Sequence, residues 1–133
     1  MKYYLDTNTC IDFLRGEHPR LLERLLSRRP EEIAIASIVK AELLYGARKS
    51  RKRERNEQMV RSFLLPYDLQ PFGDAEAEAY GRIRADLERK GEPIGPNDLI
   101  VAATVAAASG ILVTNNDREF RRIPLLKVQN WTR

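Results

Sequence analysis

YYLDTNTCI, residues 3–11, sets an apolar run directly against a polar one. Tyr3, Tyr4 and Leu5 read as a short strand entering a core, and the run stops on Asp6, Thr7, Asn8 and Thr9. A carboxylate at the end of a buried strand has an ordinary explanation, because Asp, Asn and Thr cap helices and make turns. Whether Asp6 does more depends on the partners the rest of the chain brings to it.

Working outward, Thr9 is expected to cap a helix over 10–15, with Asp12 at the capping-box position and Gly16 ending it. A second helix is expected over 19–29, a strand over 33–36, a helix from Ser37 to about Ala47, and a further helix ending near Leu65. A short strand falls around 67–70. Asp74 caps a helix with the stripe Tyr80, Ile83, Leu87, closed by Arg89, Lys90 and Gly91. Then come a helix over 97–109, a strand over 111–114, a helical turn near 117–122 and a strand over 126–129. Short, continuously apolar strands alternating with helices imply an α/β fold with a mostly parallel sheet of four or five strands, covered on both faces. In such sheets ligands sit at the carboxyl ends of the strands. Asp6 occupies one such end, and Asn115, Asn116 and Asp117 another.

The chain of 133 residues fits one domain, 1–133, with 43% hydrophobic and 32% charged residues, as in a soluble globular protein. Its longest nearly uncharged stretch, 99–113, falls short of the roughly 20 residues a membrane span needs. With no apolar leader in MKYYLDTN and one cysteine, Cys10, a cytoplasmic protein without an internal disulfide is expected. The net charge of +4 is concentrated: Arg48, Lys49, Arg51, Lys52, Arg53 and Arg55 stand against Glu54 alone, so this run carries +5 and the rest −1. The run reads equally as a polyanion-binding segment and as a solvated turn.

Two further acids stand out. Glu42, in SIVKAELLYGA, has Ile38, Val39, Tyr45 and Gly46 as its helical neighbours, so it lacks a local base and must reach a cleft or meet a cation. Asp98 opens an otherwise uncharged helix that must be buried on most sides, where capping alone would account for it. Taken together, Asp6, Glu42 and Asp98 each abut an apolar element. Two carboxylates about 5 Å apart repel by roughly 3 kcal/mol at an effective dielectric of about 20, so a cluster must be protonated, hydrated or neutralised by a metal. All-oxygen donors suit Mg2+ or Mn2+. His18 is the sole histidine, which excludes a ribonuclease built on paired histidines. Cys10 lacks an evident base, and no P-loop pattern is present.

YLDTN, AELLYGA, IGPNDLIVAA and LVTNNDREFRRIP, in this order over nearly the whole chain, resemble the PIN-domain ribonucleases, and more narrowly the VapC toxins of toxin–antitoxin pairs. The resemblance implies a three-layer α/β/α sandwich and an acidic pocket for Mg2+ (or Mn2+), with Asp6 and Asp98 as metal-binding aspartates and Glu42 as third acid. The family's Thr-x-Asp falls on Thr114, Asn115 and Asn116, so the fourth acid is missing in register; Asp117 follows and is the alternative. It also implies metal-assisted phosphodiester hydrolysis by water, leaving 5′-phosphate and 3′-hydroxyl ends. Asp6 and Asp98 would hold the ion, and Glu42 would bind a second ion or orient the water. Thr7, Asn8 and Thr114 would aim the carboxylates. An RNA substrate, a VapB-like antitoxin and a homodimer are the implied partners. The run 48–55 leads as RNA-binding surface, followed by Arg82, Arg84, Arg121 and Arg122, with Trp131 as an anchor of the last strand. Two rivals remain: an RNA-binding module that has lost cleavage, and a receiver-like domain with Asp6 as phosphoacceptor.

Overall fold

The computed structural model describes residues 1–133. Strand β1 (Tyr3–Leu5) runs up the centre of the sheet into α1 (Thr7–Arg15), followed by α2 (Pro19–Leu26), β2 (Ile33–Ala36), α3 (Ser37–Arg48) and α4 (Arg53–Leu64). Beyond these lie β3 (Asp68–Gln70), α5 (Asp74–Arg89), α6 (Pro96–Ala107), β4 (Ile111–Val113), the one-turn α7 (Asp117–Phe120) and β5 (Lys127–Gln129). All five strands form one sheet in the order β3-β2-β1-β4-β5, and every pairing is parallel. In β2 four consecutive residues, Ile33 to Ala36, are buried. Successive side chains point to opposite faces of a sheet, so helices must cover both faces, which is the three-layer arrangement.

The strand order locates the cleft. From β1 the chain builds outward through β2 and β3, then returns to the other side of β1 to add β4 and β5. The direction of growth reverses between β1 and β4. Open parallel sheets leave a crevice beyond the strand ends at such a switch point. Asp6 and Thr114 are the residues that stand there, each directly after its strand.

Local chemistry moves several expected boundaries. The cap of α1 is Asp6 rather than Thr9: its Oδ1 accepts from the Thr9 amide at 2.9 Å, so the helix starts at Thr7. Gly16 closes α1 at φ 67°, as its lack of a Cβ allows. Ser37 and Asp74 lie inside their helices and do not cap them; Gly73 precedes α5, and its amide donates to Glu76 Oε1 at 2.8 Å. α2 ends at Leu26, three residues early, where Ser27 Oγ donates to the Arg24 carbonyl at 2.8 Å.

Helix α6 carries Leu99, Val101, Ala102, Ala103, Thr104 and Val105 into the core, which is why its sequence is almost free of charge. The Thr104 hydroxyl is satisfied by the Ile100 carbonyl at 2.7 Å. Gly110, between α6 and β4, admits no side chain, since a Cβ there would lie 2.6 Å from the Tyr4 ring. Trp131 is buried, as expected of an anchor, with its ring centroid 5.2 Å from that of Tyr3. The Arg28 guanidinium lies 4.2 Å from the Tyr3 ring and 5.1 Å from the Trp131 ring. Its Nε is buried without a hydrogen-bond partner, and the two ring faces supply the compensating attraction.

Candidate active site

Asp6 is 5% exposed and has both carboxylate oxygens engaged: Oδ1 by the Thr9 amide, Oδ2 by the Thr114 hydroxyl. Burial pushes its carboxyl above the usual range, the hydrogen bonds from Thr114 and Thr9 pull it back, and the charge of Asp12 adds to the rise. The cap and the strand-end acid expected from the sequence are therefore one residue. Thr114 ties the end of β4 to the end of β1 through this bond. An enclosed carboxylate with both oxygens held is a poor phosphoacceptor, which argues against the receiver-like reading.

Glu42 stands on α3 against a cavity of about 830 Å3 between α1, α3 and α4, and so reaches a cleft as its apolar neighbours require. Its Oε1 accepts from Thr7 Oγ1 at 2.5 Å and its Oε2 from Asn97 Nδ2 at 3.1 Å. Thr7 and Thr114 thus aim carboxylates, as expected. Asn8 is exposed on α1 and makes no side-chain hydrogen bond, so its expected part is not seen.

Asp98, in the first turn of α6, is a strongly perturbed carboxyl. Burial raises it first, then the charge of Glu119 and a hydrogen bond shared with it, then the charges of Asp6 and Glu42; together they bring it to about 7. Glu119 is the acid that sequence reasoning missed. It rides on α7, where its Oε1 accepts from the Gly95 amide at 3.3 Å and its Oε2 from the Asn116 side-chain amide. Asn116 accordingly enters the site as the residue that holds Glu119, while its own amide donates to Thr114 Oγ1 at 2.9 Å.

Asp117 does not join these acids. Its Oδ1 accepts from Asn130 Nδ2 at 3.2 Å, and Arg133 and Arg121 each approach it to 3.5 Å. Burial alone would raise its carboxyl; the hydrogen bonds from Asn130 and its own backbone, with the charges of Arg133 and Arg121, outweigh that and hold it below the usual range. Backbone direction decides this: α7 turns Glu119 toward the cleft and Asp117 toward the end of β5. Asn115 donates to Asp12 Oδ2 at 2.8 Å, next to His18 at 3.7 Å from the same oxygen, and also lies outside the cluster.

The donors are oxygens only, they repel one another, and one is driven to half-protonation near neutrality. That chemistry fits a hard divalent cation. No three Asp, Glu, His or Cys side chains already stand together as a ligand set. The buried Cys10 thiol, raised by burial and by the charge of Asp6, is inert.

The basic residues divide. Arg48, Lys49, Arg51, Lys52, Arg53 and Arg55 are all exposed where α3 passes into α4, but Arg48 is paired with Glu57 at 2.8 Å. Arg84 is committed to Glu88 at 2.9 Å, Arg121 to Asp117, and Arg122 to the Pro93 carbonyl at 3.1 Å. Arg82 lines a separate cavity of about 490 Å3 with Met1 and Leu125, away from the acids. No helix of the protein is long and apolar enough to cross a membrane.

Comparison with known proteins identifies the family of the fold. Residues 3–126 match the PIN domain family model. The ribonuclease VapC2 of Rickettsia felis is 42% identical over 133 residues, with 98% of each chain covered. The tRNA(fMet)-specific endonuclease VapC of Salmonella typhimurium is 38% identical over 131 residues, again with 98% of each chain covered. In three dimensions the chain resembles the Rickettsia felis VapBC2 complex bound to a promoter DNA fragment, at TM-score 0.92 and 40% identity, covering 98% of this chain and 99% of the other. It resembles equally the DNA-bound VapBC complex of Salmonella typhimurium, at TM-score 0.93 and 38% identity, covering 98% of both. A match along nearly its full length, in sequence and in fold, makes this chain a member of the PIN-domain family, among the VapC ribonucleases.

Proposed function

We propose that the chain is a Mg2+- or Mn2+-dependent endoribonuclease, the toxin of a type II toxin–antitoxin pair, cutting RNA phosphodiester bonds with water as nucleophile. The observation that carries the reading is the gathering of acids at the first turn of α6, where Glu119 takes the Gly95 amide, Glu42 takes the Asn97 side chain and Asp98 lies in the same turn. Acids from three other places in the chain, Asp6, Glu42 and Glu119, bear on Asp98, an unfavourable charge arrangement unless a cation binds there, and of the four only Asp6 makes a helix cap. Asp6, Asp98 and Glu119 are the residues that would hold the ion. When bound, it supplies Lewis-acid activation of water and charge neutralisation at the phosphoryl oxygens.

The chain's own residues supply the rest. Thr9 and Thr114 fix the Asp6 carboxylate, so it meets a ligand without first losing rotamer freedom. Thr7 and Asn97 hold Glu42 oriented at the cavity, where it can accept a proton from the attacking water. Asn116 keeps Glu119 turned toward Asp98. The solved neighbours are toxin–antitoxin complexes, which supports a VapB-like protein partner for this chain.

The test is incubation of the partner-free protein with total RNA, including tRNA, in Mg2+ and in excess chelator. Discrete 5′-phosphorylated fragments should appear only with the metal, and Asp98→Asn and Glu119→Gln should each reduce the rate at least a hundredfold. Full-length RNA throughout, with folded protein and metal present, would leave a binding module in place of a nuclease.

A further inference from the structure

Tyr45 is 65% exposed, although it lies on α3 one turn beyond Glu42 and both residues line the same cavity. Residues three apart on a helix are neighbours, with Cβ atoms roughly 5–6 Å apart. The ring therefore sits about one nucleotide's reach from the acid that faces the reacting phosphate on the reading given above. The Lys49 ammonium lies over it, 4.9 Å from the ring centroid. Nothing in the fold needs an aromatic ring there, since the core beneath α3 is closed by Val39, Leu43 and Ala47.

From this we infer that Tyr45 is a substrate-binding residue: its ring stacks an unpaired base next to the cleaved bond, and Lys49 meets the neighbouring phosphate. The inference rests on the ribonuclease reading and deepens it by naming a residue that meets the substrate beside the cut. The chemistry of the cavity favours this occupant. Its lining includes the apolar Ile11, Leu14 and Met59, which suit the flat face of a base. Arg15 and Lys49, both exposed, line it too and suit phosphates. A base stacked on an aromatic ring is worth about 1–3 kcal/mol and is tolerant of sequence. The contact therefore selects for an unpaired, extended strand and leaves the choice of bases to other residues.

Binding is measured in an Asp98→Asn background, with Mg2+ present, by anisotropy of a fluorescein-labelled twelve-nucleotide single-stranded RNA and of the same RNA with one abasic residue at each position in turn. Tyr45→Ala should weaken binding of the intact RNA about tenfold, Tyr45→Phe should leave it unchanged, and Lys49→Gln should lower the salt slope by about 0.7. At least one abasic position should weaken the Tyr45-containing protein by the same factor and the Tyr45→Ala protein not at all. Tyr45 is exposed, so the fold should survive, which circular dichroism verifies. An unchanged affinity in Tyr45→Ala, or an abasic penalty that persists in it, overturns the inference and assigns the ring to a protein partner's face. Failure of the unmodified chain to cut RNA would instead overturn the nuclease reading, and the abasic scan would still report whether Tyr45 takes a base.

Discussion

Asp98 carries the conflict of the cleft in one carboxyl. Its value near 7, against 3.8 for the free group, means that the folded chain keeps a proton the unfolded chain releases. Without metal, this contribution to stability is present below about pH 4 and is lost as the pH rises through about 7. Asp98→Asn removes the titration. In chelator it should melt a few degrees above the unmodified chain at pH 8, the difference shrinking toward pH 5. A pH-independent difference between the two proteins would show that Asp98 does not titrate in this range. Asp6, Glu42 and Asp98 were legible in the sequence because each is an acid set against apolar neighbours, where a carboxylate needs a reason. Glu119 was not. In DREFRR it looks like a solvated acid paired with Arg122 three residues on, yet Arg122 goes to the Pro93 carbonyl and leaves Glu119 to Gly95 and Asn116. Only the path of the backbone after Thr114 shows this.

Helix α7 is too short to hold its own direction, as four residues make barely one turn. Asp117 supplies what the turn lacks by tying it to the end of β5 through Asn130, the exposed Arg121 and Arg133 adding less. On the metal-binding reading, Asp117 would then act on the site through the direction of α7, the turn that carries Glu119. Asp117→Ala should cost about 1–2 kcal/mol in chemical denaturation. It should also weaken Mn2+ binding, measured calorimetrically, while Asp117→Asn, which keeps an acceptor for Asn130, recovers most of both. Equal Mn2+ affinity in Asp117→Ala and the unmodified chain would refute the link. The elements themselves were readable from apolar runs and from Gly16. Their edges were less so, because a cap is a three-dimensional choice: Asp6 and Thr9 both qualify by residue type, and the buried end of β1 selects Asp6.

Across the whole molecule, charge is sorted by place: acids converge at the switch point, while the six bases of 48–55 lie where α3 meets α4. An RNA strand crossing the cleft should meet this patch before it meets the acids. Affinity should then fall with salt, each phosphate contact adding about 0.7 to the log–log slope for a single strand. Replacing Lys49, Arg51 and Lys52 by Gln should flatten that slope by about two, measured by anisotropy between 50 and 200 mM salt. An unchanged slope would place the RNA path on another face. The parallel sheet and its covering by helices were legible from runs such as IAIA and ILV. The placing of β1 at the centre was not, since strand order depends on which long crossover forms and no local pattern records it.

That central placing has a consequence in time. The hydrogen bond from Thr114 to Asp6 joins residues 108 apart in the sequence. At synthesis rates of about 5–20 residues per second, Asp6 waits roughly 5–20 s for its partner to be made. Through that interval the nascent chain holds β1 without β4, and Asp6 without Thr114 or Glu119. A member of a ribonuclease family is thus made on an RNA-built machine with Asp6 still lacking Thr114 and Glu119, and the cleft described above is complete only once residues 114–119 have been added.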